Sequence, residues 1–225
     1  MIREWRALAR LLPMQECWLC HGSSHGKLLC GFCRRALPRC ADDLPRADLA
    51  RAAGLDSLAV RHEYRFPLDV LIGAYKYQGE LALAPVLAAL LPPPGQAATG
   101  GALARTCPAV LGVPASDARV RSRGFDHLAL LARRYADRLG TGCLEGRRRA
   151  DRVPQAGLAR RQREHNLRDT FEVGRMPPSV VLVDDVLTTG STLAALAQAC
   201  RAAGAREVHG VVIARTPAPY ELRPD

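Results

Sequence analysis

The stretch "VVLVDDVLTTGSTL", Val180 to Leu193, sets two adjacent carboxylates, Asp184 and Asp185, between a short apolar run and a cluster of hydroxyls around Gly190. The apolar run Val180–Val183 reads as a strand buried on both faces. The segment from about Leu193 to Ala203, stopped by Gly204, reads as a helix. Thr188, Thr189, Gly190, Ser191 and Thr192 therefore fall in the turn between them. Backbone N–H groups at a helix N-terminus lack intrahelical partners and carry partial positive charge, so this turn suits a phosphate. Gly190 permits the close backbone approach or unusual dihedrals of such a cradle.

A carboxylate pair beside a phosphate repels it unless the pair contacts something else, such as a sugar diol or a divalent cation. Both uses suit a ribose 5-phosphate, with its phosphate in the hydroxyl turn and Asp184 and Asp185 at the 2- and 3-hydroxyls or their hydration shell. A P-loop is excluded, because no G-x-x-x-x-G-K-[ST] is present and no lysine follows Gly190. An aspartyl-phosphate nucleophile would also sit at a strand end, but the dense hydroxyl turn and the missing downstream lysine disfavour it. A plain capped helix needs one hydroxyl, and this turn offers four.

Outward from this stretch, apolar spacing places a strand in "LDSLAVRHEY" and a helix in "FPLDVLIGAYKYQGE", with Leu68, Leu71, Ile72 and Tyr75 on one face. A second helix, "LALAPVLAALL", ends at Pro92, and Gly95 to Gly101 reads as a loop. "PAVLGVPAS" reads as a buried strand and "DARVRSRGF" as the loop beyond it. Leu128, Leu131, Ala132, Tyr135 and Leu139 then form an apolar stripe opposed by Arg133, Arg134, Asp137 and Arg138, with Gly140 as the stop. The basic stretch "RRRADRVPQAGLARRQREHNLRDTF" has too little apolar content for a packed strand and reads as an exposed helix or a loop that orders over a ligand. "VHGVVIA" is a last strand. Alternating strands and helices imply a parallel sheet covered on both faces, with ligands bound at the carboxyl ends of its strands.

The chain has 225 residues, enough for one ordinary domain and a small appendage. Hydrophobic residues at 48% and charged ones at 24% exclude a disordered chain. The net charge is +10, and Lys27 and Lys76 are the only lysines. The excess of arginine suits phosphate recognition and would attract nucleic acid, although a solvated basic surface has the same composition. Arginines interrupt the apolar face of "MIREWRALARLLP", which argues against a signal peptide, and "LALAPVLAALLPPP" is too short and Pro-broken to span a bilayer. These features predict a cytoplasmic protein without membrane insertion.

"CWLCHGSSHGKLLCGFC" carries Cys17, Cys20, Cys30 and Cys33 as two C-x-x-C knuckles nine residues apart. Four thiolates fill a tetrahedral zinc site and leave no open position, so the spacing predicts a structural metal. A redox C-x-x-C, or His21 or His25 replacing one cysteine, is the competing arrangement. Cys40 is the remaining cysteine near enough to serve as a reserve ligand, whereas Cys107, Cys143 and Cys200 read as small buried hydrophobes.

The opening stretch resembles the phosphoribosyl-diphosphate (PRPP) signature of the type I phosphoribosyltransferases. "YKYQGE" at Tyr75–Glu80, "VPASDARVRSRGFDHLALLA" at Val113–Ala132, "QAGLARRQREHNLRDTF" at Gln155–Phe171 and the four-cysteine segment extend the likeness over nearly the whole chain. The chain resembles in particular the ComF family of competence and DNA-utilisation proteins. This resemblance implies an α/β fold, a type I phosphoribosyltransferase-like parallel sheet flanked by helices with a small N-terminal zinc module. The expected units are residues 13–43 for the module and 55–225 for the phosphoribosyltransferase-like domain.

The resemblance further implies that Asp184 and Asp185 contact the ribose of PRPP and that Thr188, Thr189, Gly190, Ser191 and Thr192 hold its 5-phosphate. Lys76 and the segment around Arg121, Arg123 and Gly124 would face the pyrophosphate side. The candidate catalytic set is thus Asp184, Asp185, Lys76 and Arg123, with Arg121, Gln155, Arg163 and Asn166 belonging to the substrate side and hood. Magnesium carried with PRPP and structural zinc are the implied cofactors. PRPP or a related sugar phosphate, single-stranded DNA and the DNA-uptake machinery of natural transformation are the implied partners. Where the family usually reads R-G-F-N-Q, this chain has Arg123-Gly124-Phe125-Asp126-His127, and Val153-Pro154 replaces a Thr-containing approach to Gln155. With few aromatic residues, DNA contacts would go mainly to phosphates. No residue pair reads as a dedicated nucleophile and general base.

Overall fold

A computed structural model of the chain describes residues 16–40, 47–92, 109–149 and 170–216. Five parallel strands form its main sheet: β1 (Ser57–Glu63), β2 (Ala109–Gly112), β3 (Gly142–Leu144), β6 (Ser179–Leu187) and β7 (Glu207–Arg215), in the spatial order β1-β7-β6-β2-β3. The connection leaving β2 runs outward to β3, and the connection leaving β6 runs the other way to β7. The crevice between β2 and β6 is therefore the point where the winding reverses, the place at which open parallel sheets receive ligands.

Helices cover the sheet, namely α2 (Ala47–Ala52), α3 (Leu68–Tyr77), α4 (Ala84–Leu90), α5 (Asp117–Arg123), α6 (His127–Leu139) and α7 (Ser191–Ala202), after a one-turn α1 (Gly31–Arg35). The apolar stripe read in α6 is the buried one: Leu128, Leu131, Ala132 and Tyr135 face the core. Asp126 caps the N-terminus of α6 by accepting from the N–H groups of Leu128 and Ala129, both at 3.0 Å. Gly140, in the left-handed region, ends it. Arg138, read as opposing the apolar stripe, donates to the carbonyls of Ala88 and Leu91 at the end of α4. At Gly112 the backbone of β2 approaches α6 so closely that a Cβ would lie 2.5 Å from the Leu128 carbonyl oxygen.

Two local expectations change. The segment read as a loop after β2 contains the seven-residue helix α5, ended by Gly124 at φ 82°. The ends of the basic stretch form a two-stranded antiparallel sheet, β4 (Gly146–Arg148) with β5 (Phe171–Val173), because Phe171 is buried under the Arg148 guanidinium at 5.7 Å. The interior of that stretch, and with it Gln155, Arg163 and Asn166, lies outside the described residues, as do Cys107 and the Gly95–Gly101 segment. Among the described residues no helix is long and apolar enough to cross a membrane.

Residues 16–40 pack against the carboxyl end of β1. The Cys40 N–H donates to the Arg61 carbonyl at 3.0 Å and the Glu63 N–H to the Pro38 carbonyl at 3.1 Å. Cys17, Leu29, Cys33 and Leu37 share one continuous apolar core with the strands.

Candidate functional site

Strand β6 does not end before its two acids. Its pairing with β7 runs on to Leu187 opposite Arg215, so Asp184 and Asp185 lie within the strand and, with period two, point to opposite faces of the sheet. The consequence is two different environments. Asp185 is 4% exposed. Its Oδ1 lies 2.8 Å from Nζ of Lys76, in the last turn of α3, and its Oδ2 lies 3.0 Å from Nε2 of His127, at the start of α6. Asp184 is half-buried, and its Oδ1 accepts the Asp185 N–H at 2.9 Å.

His127 is fixed from its other side. Its Nδ1 lies 3.1 Å from NH1 of Arg123, and a guanidinium can only donate, so Nδ1 accepts and the ring proton sits on Nε2, directed at Asp185. Lys76 supplies a full positive charge facing Asp185. Burial opposes ionisation of Asp185, but the His127 hydrogen bond and the Lys76 charge outweigh it and hold the carboxyl below its usual pKa. Burial and the adjacent Asp185 charge push Asp184 upward.

These groups open into a cleft of about 330 Å³ at the carboxyl ends of β2 and β6. Val113, Pro114 and Ala115 form one wall, and Arg119, Arg123, Lys76 and Arg148 bring positive charge to it. Thr192, at the start of α7, lines the same cleft. Thr188, Thr189 and Ser191 are exposed in the turn before it, where the Thr189 and Ser191 hydroxyls lie 3.0 Å apart. Gly190 is the residue before the helix and takes φ 75°, a conformation that explains the glycine. Of the three α5 arginines, Arg119 and Arg123 line the cleft and Arg121 does not.

Three residues here were missed by sequence reasoning. His127 was noted only as a departure from the family pattern. Asp126, the other departure from the family pattern, is committed to the α6 cap and to the Ala115 N–H at 3.2 Å; an Asp directly before an apolar periodic segment is the signal that finds it. Tyr77 is 71% exposed, with the Arg123 guanidinium 5.0 Å over its ring. It stands between this cleft and an adjoining one of about 390 Å³ that shares Lys76, Arg119 and Arg123.

At the other end of the chain, the sulfurs of Cys17, Cys20, Cys30 and Cys33 lie within 4.8 Å of one another, and no histidine or Cys40 joins the group among the described residues. A zinc tetrahedron with Zn–S of about 2.3 Å needs sulfurs about 3.8 Å apart, and Cys20 and Cys30 are separated by 3.8 Å. Left-handed backbone at His21 and His25 turns the chain between ligands. The N–H groups of Cys30 and Cys33 point at the sulfurs of Cys17 and Cys30, at 3.3 and 3.4 Å, as donors that would stabilise thiolates. The donor set is compatible with zinc.

A parallel sheet with a diacid and a hydroxyl turn at its winding reversal defines a phosphoribosyltransferase-type fold, and the model of the phosphoribosyl transferase domain matches residues 177–224. Two bacterial relatives match over most of the chain. "DNA utilization protein YhgH" of Salmonella typhimurium is 30% identical over 225 residues, covering 89% of this chain and 96% of that protein. "Competence protein F" of Haemophilus influenzae is 28% identical over 193 residues, covering 83% and 84%. Among solved structures, orotate phosphoribosyltransferase from Aeropyrum pernix aligns with a TM-score of 0.35 at 22% identity, over 67% of this chain and 78% of that one. The chain belongs to the ComF family of competence and DNA-utilisation proteins.

Proposed function

We propose that the protein binds PRPP, or a related sugar phosphate, in the cleft between β2 and β6, and that it acts on the cytoplasmic side as an accessory of DNA uptake in natural transformation. The observation that carries the reading is the convergence of the Asp184–Asp185 pair with Lys76, Arg119 and Arg123 beside the Thr188–Thr192 turn. The turn would hold the 5-phosphate, the acids would take the ribose side, and the cations would meet the pyrophosphate. The half-buried Asp184 carboxylate, disfavoured by its neighbour's charge, suits a cation arriving with PRPP. Magnesium bound there would offset charge on the pyrophosphate. Zinc on the four cysteines would stabilise the 13–43 module, with 55–225 as the PRPP-binding domain.

Contact with single-stranded DNA rests on Arg119, which has no carboxylate partner among the described residues, and on the exposed Tyr77 ring, a stacking surface beside the cleft. Such binding would be weak and sequence-tolerant, and would fall steeply with salt. A second reading, transfer of ribose 5-phosphate from PRPP to a nitrogenous acceptor, is favoured by the cations placed to stabilise a leaving pyrophosphate. Measuring pyrophosphate release from PRPP with bases, amines and oligonucleotides as acceptors separates the two: release identifies a transferase, and binding without release an accessory protein.

A further inference from the structure

Apolar surface left in water concentrates at one place, away from the cleft. Of the five large apolar side chains exposed among the described residues, Phe32, Phe66 and Val70 line a single groove of about 940 Å³. One side of the groove is the four-cysteine segment, with Trp18, Leu19 and Phe32, and the other is the entry to α3, with Phe66, Pro67 and Val70. Phe32 and Phe66 are 73% and 75% exposed, so the described residues leave both rings uncovered. Contiguous exposed apolar surface of this kind marks a contact face.

The chain's own sequence supplies a matching partner. Fifteen residues precede Glu16 and lie outside the described residues, and Glu16 itself lines the groove. Among those fifteen, Ile2, Trp5, Ala9 and Leu12 recur at helical spacing, while Arg3, Arg6 and Arg10, which break the apolar run in linear order, fall on the flank beside it. Pro13 closes the pattern just before Glu16. A helix of about three turns is marginal in water and takes its stability from a surface to pack on. From this we infer that residues 2–12 dock as a helix along the groove, with Ile2, Trp5, Ala9 and Leu12 against Phe32, Phe66 and Val70 and the arginines toward solvent. The link from Leu12 to Glu16 is short, so the segment is held at high effective concentration and the contact forms within one chain.

The test uses the full chain carrying Trp18→Phe, in which Trp5 is the remaining tryptophan. Its fluorescence should be blue-shifted relative to the urea-unfolded chain and unchanged on dilution, and it should move to the red in Val70→Glu and in Phe32→Glu. Leu81→Glu, at an exposed apolar residue outside the groove, should leave the emission where it was. The inference is overturned by Trp5 emission as red as in the unfolded chain, or by a blue shift that ignores both groove variants. A shift lost on dilution overturns it in favour of a second copy of the chain as the occupant, and a shift that appears only with anionic phospholipid vesicles overturns it in favour of a membrane surface. Should the groove variants not fold, Ala9 replaced by a photo-crosslinking amino acid decides: cross-links within one chain to Phe32, Phe66 or Val70 support the docking, and cross-links elsewhere overturn it.

Discussion

The Lys76 ammonium and the Asp185 carboxylate form a largely buried ion pair, 2.8 Å apart, joining the end of α3 to the centre of the sheet. Breaking such a pair from one side leaves a charge without compensation. Lys76→Met should lower unfolding stability by about 3 kcal/mol, with Asp185→Asn/Lys76→Met closer to wild type. Denaturant unfolding of the variants checks this, and a loss in the double variant as large as in the single one speaks against it.

Asp126 ties two segments at once, capping α6 and holding the Ala115 N–H at the wall of the cleft. Asp126→Ala should cost about 1–2 kcal/mol and Asp126→Ser clearly less. Equal losses would assign the effect to something other than the cap.

Backbone placement is tested at two glycines for different reasons. Gly112→Ala forces a Cβ onto the Leu128 carbonyl and should shift β2 away from α6, with a loss of several kcal/mol if the protein folds at all. In Gly190→Ala the added Cβ would meet only ordinary contacts, Ala53 Cβ at 3.4 Å and Leu187 Cδ1 at 3.7 Å, so its cost should be the roughly 1–2 kcal/mol of a left-handed non-glycine residue. Thermal unfolding that ranks Gly190→Ala as the worse of the two would contradict the close approach.

Much of this was readable without coordinates. The four cysteines, the α6 stripe and the hydroxyl turn before its helix are local patterns, and each appears in the structure, whereas the diacid lies inside β6 and not after it. Helix α5 was not readable because none of its residues is buried, so it has no apolar period to reveal it. The inequality of Asp184 and Asp185 was hidden for another reason: it depends on how far β6 extends and on His127, 58 positions away in the chain. Sequence places the acids side by side, and only pairing with β7 turns them to opposite faces.

His209 supplies a pH response. It is buried on β7 with Nδ1 2.8 Å from the Ser57 hydroxyl, and burial lowers its pKa, opposed in part by Asp56 and Glu207. The unfolded chain therefore takes up the proton at higher pH than the folded protein. The stability this histidine contributes is present above the ordinary value of about 6.5 and is lost as pH falls toward the folded value. Urea unfolding between pH 7 and pH 5 should show a smaller loss in His209→Asn than in wild type; equal losses would contradict the assignment.

Zinc removal should act locally at first. Chelation, or Cys20→Ser, should expose residues 16–40 to protease, while the strands keep most of their far-UV signal, because the sheet has its own buried contacts. A digestion pattern unchanged by chelator would argue against a structural metal.

The central claim is that the cleft between β2 and β6 is a PRPP site, and the most direct measurement is the melting temperature with and without PRPP and magnesium. The account predicts a concentration-dependent rise in wild type that Asp184→Asn abolishes. No rise in wild type, or an undiminished rise in Asp184→Asn, would contradict it.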